Sequence, residues 1–174
     1  HAQSIAMCTL VVSHTPDAPD PVLVGANRDE SFHRPSEPPT VQEREGARVL
    51  APRDALAGGT WLGLNEHGVF AGLTNRFGRP TDRDRRSRGE IVFRALEEAS
   101  AVDGAAAIAA LEATDYNPFH LFVVDPTDMY AVVSDGARLS ATRLETGLAV
   151  VTERSFGAAA NSRKRTLRRK LLAA

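Results

Sequence analysis

The stretch that decides the fold is residues 7–30, MCTLVVSHTPDAPDPVLVGANRDE. Its first apolar run, residues 8–12, is rich in β-branched side chains, and a second short apolar run, residues 21–26, follows a connection of His, Pro and Asp residues. Apolar and β-branched runs bounded by turn-forming residues are typical of short strands. The stretch therefore predicts a strand, a loop and a second strand, which ends in the polar run Asn27-Arg28-Asp29-Glu30.

Beyond this stretch the pattern predicts a loop, then strands, a helix pair and more strands. Residues 31–46 carry several prolines among polar residues and are predicted to form an irregular surface loop. Strands are predicted at 49–51, 59–64, 69–74, 119–124, 129–134, 138–142 and 148–152, and helices at 90–100 and 104–113. Strands on both sides of a helix pair favour an α+β fold with antiparallel sheets and segregated helices.

Length and composition indicate one globular domain. The chain has 174 residues, 43% hydrophobic and 25% charged, which are ordinary values for a globular protein. We expect a single domain over residues 7–174, preceded by a leader or cloning remnant at residues 1–6. A net charge of -1 gives no global reason to expect a nucleic-acid partner, and the absence of a long apolar run predicts no membrane insertion and a cytoplasmic location.

Two basic segments stand out against this balance. Residues 161–174 contain six Lys and Arg residues and no acid, which predicts either a solvated basic helix or a contact with an anionic partner. Residues 82–88 alternate acids and arginines and are interpreted as a solvated turn that leads into a helix. The glycine-dense segment 58–65 allows close approach of backbones, but its spacing does not fit a phosphate-binding loop.

Cys8 is the main candidate for chemistry. It is the single cysteine, which excludes an internal disulfide, and it directly follows Met7. Removal of Met7 would give Cys8 a free α-amine, so that one residue carries a nucleophilic sulfur and its own general base. The alternative is a small buried hydrophobic residue at the start of a strand.

A nucleophile also needs supporting groups, for which the sequence offers Arg28, Asp29 and Asn75. The alternative for Arg28 and Asp29 is a solvated strand end; on a strand beside Cys8, they would form a neutralising pair that lowers the thiol pKa or orients the amine. Histidines 14, 33, 67 and 120 lack metal-ligand spacing and are interpreted as loop or structural residues, so no metal site is predicted.

Several segments together carry a resemblance to a known family. They are Met7-Cys8-Thr9-Leu10, Asn27-Arg28-Asp29-Glu30, Gly58-Gly59-Thr60-Trp61-Leu62-Gly63, Leu73-Thr74-Asn75 and Ser87-Arg88-Gly89. In this order they resemble the NRDE-domain, transport and Golgi organisation 2-like family. The resemblance implies a four-layer αββα sandwich of the N-terminal-nucleophile hydrolase type, related to the cysteine branch that contains penicillin V acylase and bile-salt hydrolase.

By that resemblance the chain is expected to hydrolyse an amide (C–N) bond of a small-molecule substrate without a cofactor. Cys8 would be the nucleophile, Arg28 and Asp29 would support it, and Asn75 would donate to the oxyanion. The chain departs from the family pattern at Glu153, where many members carry Asn. It also ends before the usual carboxy-terminal segment of the family, so we expect part of the domain to be absent.

The resemblance implies two alternatives to catalysis. One is haem binding and trafficking, for which Cys8, Met7 or an internal histidine are the nominated ligands. The other is an inactive hydrolase fold that binds an acyl or lipid-like ligand. A fold alone does not choose among these functions, and the sequence leaves the substrate and the oligomeric state open.

Overall fold

The structure is a computed structural model that describes residues 8–31, 33–78 and 80–156. The predictions for residues 1–6 and 161–174 lie outside the described residues. The described strands are β1 Thr9–His14, β2 Val22–Asn27, β3 Ser36–Arg44, β4 Ala47–Asp54, β5 Leu62–Asn65, β6 Phe70–Asn75, β7 Phe119–Val124, β8 Met129–Ser134, β9 Leu139–Arg143, β10 Gly147–Thr152 and β11 Ser155–Phe156. The helices are α1 Gly89–Leu96 and α2 Ala101–Ala109, and a short 3-10 turn spans Ala113–Asp115.

The smaller sheet contains both strands predicted from residues 7–30. Its strand order is β11-β10-β1-β2, so β1 lies between β10 and β2 and pairs with both in antiparallel register. Thr9 lies opposite Asn27 on one side and opposite Thr152 on the other. The predicted strand, loop and strand is therefore confirmed, and the polar ends of β2 and β10 flank the start of β1.

The larger sheet is a seven-stranded antiparallel meander in chain order, β3 to β9. Helix α1 packs on β4, β5 and β6, and α2 packs on β7, β8 and β9. One buried apolar cluster fills the space between the helices and this sheet, and a second fills the space between the two sheets. The described residues thus form helix, sheet and sheet layers with antiparallel strands, as predicted, and neither helix is long and apolar enough to cross a membrane.

The prediction of an irregular loop at residues 31–46 is wrong, because β3 occupies most of that segment. β3 is the edge strand of the larger sheet, where proline is tolerated because no further strand requires its N–H group. The pairing with β4 shifts register between Glu37 and Thr40, and Pro38 and Pro39 fall at that irregularity.

Several element boundaries also differ from the prediction. Helix α1 ends at Leu96, and α2 begins at Ala101 because Ser100 caps it. The Ser100 hydroxyl oxygen accepts the backbone N–H of Asp103 at 3.1 Å, which satisfies one of the free donors at the start of the helix. The strand predicted from residue 59 begins at Leu62, since the preceding residues leave the ladder to pack against α1.

Candidate active site

Cys8 lies immediately before β1, in the middle of the smaller sheet. Its side chain is half-buried, and the thiol donates to the backbone carbonyl of Asp29 over 3.7 Å. Burial raises the pKa of the Cys8 thiol, and the negative charges of Glu153 and Glu30 raise it further, while the contact with the Asp29 backbone acts in the opposite direction. In this environment the thiol is held mainly as S–H near neutral pH.

The carboxylate of Glu153 contacts Cys8 directly. Glu153 directly follows β10, and the pairing of Thr152 with Thr9 brings it beside Cys8. Its carboxylate accepts hydrogen bonds from the Cys8 thiol and from the Cys8 backbone N–H. Burial raises the pKa of Glu153, although those two bonds partly offset the effect. The position where many family members carry Asn is therefore in direct contact with the candidate nucleophile.

Arg28 is fixed by Asp54 and Trp61. Its Nη2 lies 3.7 Å from Oδ2 of Asp54, and its guanidinium carbon lies 4.4 Å from the centre of the Trp61 ring. The hypothesis from sequence paired Arg28 with Asp29, whereas the ion pair that the structure shows for Arg28 is with Asp54, on β4. Arg34 shares this carboxylate, with Nε 2.7 Å from Oδ2.

Asp54 is suited to hold two arginines. Burial alone would raise the pKa of Asp54, but the backbone N–H groups of Ala57 and Leu56 and the charge of Arg34 outweigh burial and lower it. The carboxylate is therefore ionised at neutral pH. It anchors two guanidinium groups at the edge of the cleft.

Two glycines bring the opposite wall of the cleft into place. A Cβ atom on Gly59 would lie 2.7 Å from the Cα of Gly89, and a Cβ on Gly89 would lie 2.9 Å from the Cα of Gly59. Only two residues without side chains allow this approach of backbones, which includes a hydrogen bond from the Thr60 N–H to the Gly89 carbonyl oxygen at 3.3 Å. The contact explains why glycines recur in both motifs, and it places Arg88 on the cleft.

The segments that carry Cys8, Arg28, Asp54, Gly59 and Arg88 enclose a cleft of about 320 Å³ at the Cys8 end of the two sheets. A cleft of this size suits a small molecule. The structure brings Cys8, Arg28 and Asn75 to the same cleft, and the Asp29 backbone meets the thiol. The lining also includes apolar and basic side chains, which are Leu10, Trp61, Leu62, Leu73, Arg34, Arg83, Arg85, Arg86 and Arg88.

The interpretation of residues 82–88 as a solvated turn is wrong in part. Arg85 and Arg88 are half-buried, and Arg85 donates to the carbonyl oxygens of Tyr116 and Gly136 at 2.6 and 3.0 Å. Arg88 donates to the carbonyl oxygen of Pro118 at 3.0 Å. The alternation of charges in the sequence resembles that of a surface turn, and it gives no indication that long side chains reach back to carbonyl groups.

Sequence reasoning assigned no site role to Asp54, Trp61 or Arg88, all of which line the cleft. The signal for Trp61 and Arg88 was their place in glycine-containing motifs, which could have been interpreted as lining a site. Asp54 had no such signal, because its role depends on the pairing of β3 with β4 and on the fold of the following turn.

None of the four internal histidines lines the cleft. His33 and His67 are exposed, whereas His14 and His120 are buried. Burial, together with the charge of Arg76, lowers the pKa of His120 to about 4, and a hydrogen bond to the Thr152 backbone acts in the opposite direction. No group of three His, Cys, Asp or Glu residues within the described ranges could hold a metal ion.

The fold defines the class to which the chain belongs. An N-acylethanolamine-hydrolyzing acid amidase ortholog from Caenorhabditis elegans superposes with a TM-score of 0.71, covering 95% of this chain and 79% of that chain at 15% identity. A variant of conjugated bile acid hydrolase from Clostridium perfringens superposes with a TM-score of 0.56, covering 94% of this chain and 58% of the other, also at 15% identity. The chain therefore has the N-terminal-nucleophile hydrolase fold, the αββα sandwich.

Within that class the chain belongs to the Transport and Golgi organisation 2 family, whose sequence model matches residues 7–173. The Transport and Golgi organization protein 2 homologs of Bos taurus and Homo sapiens are each 33% identical over 108 residues. The matched segment is 60% of this chain and 38% of each mammalian protein. The family predicted from the sequence is thus confirmed.

Proposed function

We propose that the chain hydrolyses an amide (C–N) bond of a small molecule, with the Cys8 sulfur as nucleophile. The observation that carries the proposal is the position of the thiol, which lies half-buried on a cleft of about 320 Å³ together with Asn75. A structural cysteine would be enclosed by apolar neighbours, whereas Cys8 contacts a carbonyl oxygen and a carboxylate. Two solved structures with this fold are named as an amidase and a bile acid hydrolase.

The proposed base is the α-amine of Cys8 in a chain that begins at that residue. The amine takes the thiol proton, and the sulfur attacks the amide carbon to give a tetrahedral oxyanion. The C–N bond then breaks, the leaving amine takes the proton from the α-ammonium, and a thioester remains. Water attacks the thioester and gives one proton to the amine; the C–S bond then breaks, the ammonium returns that proton to the sulfur, and a carboxylic acid is released.

The other predicted residues have supporting roles in this proposal. Asn75 ends β6 on the cleft, where its side-chain amide can donate to the oxyanion. Arg28 acts as a positioning residue, because Asp54 and Trp61 fix its guanidinium at the edge of the cleft. The backbone of Asp29 contacts the thiol, with its carbonyl oxygen 3.7 Å from the sulfur.

Glu153 sets the pH at which the amine can act. It accepts the backbone N–H of Cys8, and in a chain that begins at Cys8 this nitrogen is the amine itself. A carboxylate at hydrogen-bond distance favours the ammonium form and therefore raises the pKa of the amine. We expect the activity to rise with pH through a higher range than it would with Asn at this position.

The test uses protein that begins at Cys8 and a panel of N-acyl amides, with fluorescent detection of the released amine. We expect release by the unmodified protein, loss of at least a hundredfold in Cys8→Ala, and no change in Ser13→Ala, a matched substitution in the adjoining strand β1. The same protein with residues 1–7 attached should be inactive.

A haem titration on the same samples distinguishes the alternative function. Release of amine that is unaffected by Cys8→Ala would overturn the proposal. So would the absence of release from every amide combined with a saturable Soret band, which would support haem binding in its place.

A further inference from the structure

We propose that the cleft binds its ligand through an anionic group, a carboxylate or an oxyanion of similar shape, which the guanidinium of Arg88 holds. The inference deepens the proposed function and rests on it for the claim that the anion belongs to an amide substrate. It assigns a binding role to Arg88 and a chemical class to the ligand.

Arg88 has no direct countercharge among the described residues. Its side chain is half-buried and lines both the main cleft and an adjoining cavity of about 150 Å³. Within the described part of the chain its side chain makes one hydrogen bond, from Nη1 to the carbonyl oxygen of Pro118 at 3.0 Å. A guanidinium carries five N–H donors in a planar fork, so most of its donor capacity remains available to a ligand.

Most other arginines of the cleft already form ion pairs with acidic residues. Arg28 and Arg34 bind Asp54. The remaining pairs are Arg85 with Asp82 at 3.5 Å, Arg86 with Glu90 at 2.7 Å, and Arg86 with Asp115 at 3.8 Å. Arg83 lines the cleft too, but it is exposed, and solvent screens its charge. Arg88 therefore combines a partly desolvated charge with the absence of an ion pair to any residue that the structure describes.

Two carboxylates act on Arg88 from a greater distance, those of Glu30 and Glu153. Each already has a nearer partner, since Glu30 lies 3.3 Å from Arg34 and Glu153 accepts from Cys8. Burial lowers the pKa of Arg88, which is the effect expected of a cation that has lost water without gaining a partner. A ligand carboxylate would supply two charge-assisted hydrogen bonds at this place.

The rest of the cleft fits the other end of such a ligand. Leu10, Leu62, Trp61 and Leu73 contribute apolar surface to the lining. A small amide with an acyl chain and a carboxylate would bury its chain against these residues and direct its charged group toward Arg88. N-hexanoylglycine is a probe of this class, and N-hexanoylglycinamide is its neutral counterpart of nearly equal size.

The experiment measures protection of the Cys8 thiol from iodoacetamide by each probe, on protein that begins at Cys8. This readout needs a thiol and a bound ligand, and it does not need turnover. We expect N-hexanoylglycine to protect at a concentration about tenfold lower than N-hexanoylglycinamide, the ratio for one charge-assisted contact. Arg88→Gln should abolish the preference, Arg88→Lys should retain part of it, and Arg83→Gln, a matched loss of charge on the same cleft, should leave it intact.

Equal protection by the two probes would overturn the inference, and this comparison uses the unmodified protein, so it does not depend on the folding of a variant. A preference that persists in Arg88→Gln would also overturn it. Protection with the expected preference but without amine release would refute the proposed hydrolysis and leave the anion site standing. Amine release with equal protection would do the reverse.

Discussion

The contact between Glu153 and Cys8 allows a prediction that requires no knowledge of the substrate. Glu153→Gln removes the negative charge, and with it the carboxylate that accepts the thiol hydrogen bond, both of which raise the thiol pKa. The substitution should therefore lower the pKa of Cys8.

The rate of alkylation changes by less than the thiolate fraction. For each unit by which a thiol pKa falls, the thiolate fraction rises about tenfold while the pH lies below the pKa, but a less basic thiolate is also a weaker nucleophile, with a Brønsted slope of about 0.4–0.5. The net gain near neutral pH is then about threefold per unit of pKa. At high pH, where both thiols are ionised, the variant should be the slower of the two by a similar factor per unit, so the two pH profiles should cross.

The assay is alkylation of the full chain by iodoacetamide between pH 6 and pH 10, followed by mass spectrometry. Cys8 is the single cysteine, so the modified fraction reports on one thiol. Glu145→Gln is the matched control, because Glu145 is exposed and precedes β10 at the end where Gly147 pairs with His14. Profiles of Glu153→Gln and unmodified protein that coincide, or a pKa that rises, would refute the proposed effect of Glu153 on Cys8.

Three further predictions concern stability. Gly89→Ala should lower the free energy of unfolding in urea by about 1–3 kcal/mol, because the new Cβ would lie 2.9 Å from the Gly59 Cα, whereas Gly25→Ala, with no atom within 4 Å of its Cβ, should change it little. Asn65→Ala should cost about 2–4 kcal/mol in the same assay, since this buried amide makes four hydrogen bonds to backbone groups; a loss below 1 kcal/mol would contradict that role. The pKa of His120 is lowered from 6.5 to about 4, so the imidazole makes no contribution to the free energy of unfolding above pH 6.5. As the pH falls toward 4, it lowers that free energy by up to roughly 3 kcal/mol, because the unfolded chain takes up the proton first. Unfolding measured from pH 7 to pH 4 should show this loss in the unmodified protein and less of it in His120→Gln.

The sequence predicted a strand well where the strand itself has an apolar pattern. The prediction for β7 and β8 matches the observed bounds, because both are continuous apolar runs closed by Asp-containing turns. The edge strand β3 was missed because it consists mainly of polar residues and because its two prolines are typical of a loop. An edge strand depends on its neighbour for its structure, and the composition of β3 does not reveal that β4, which begins after two intervening residues, pairs with it.

The candidate site was predicted in part for a similar reason. Cys8 and the Asn27-Arg28-Asp29-Glu30 motif are adjacent because β1 and β2 form a hairpin, a local arrangement that the pattern of apolar runs indicates. Asn75 was a candidate supporting group from the sequence, and the resemblance to a family gave it the role at the oxyanion. The pairing of Arg28 with Asp54 and the position of Arg88 depend on contacts between distant segments, which composition and periodicity do not encode.

The contact of Gly59 with Gly89 has a consequence for how this cleft can change in evolution. The two backbones touch without intervening side chains, so the segment that carries Trp61 and the segment that carries Arg88 cannot be moved apart or together by small steps. Adaptation to a longer or bulkier ligand would have to proceed by exchange of side chains on fixed walls. The chemical preference of the cleft can then be altered at residue 88 without altering its width.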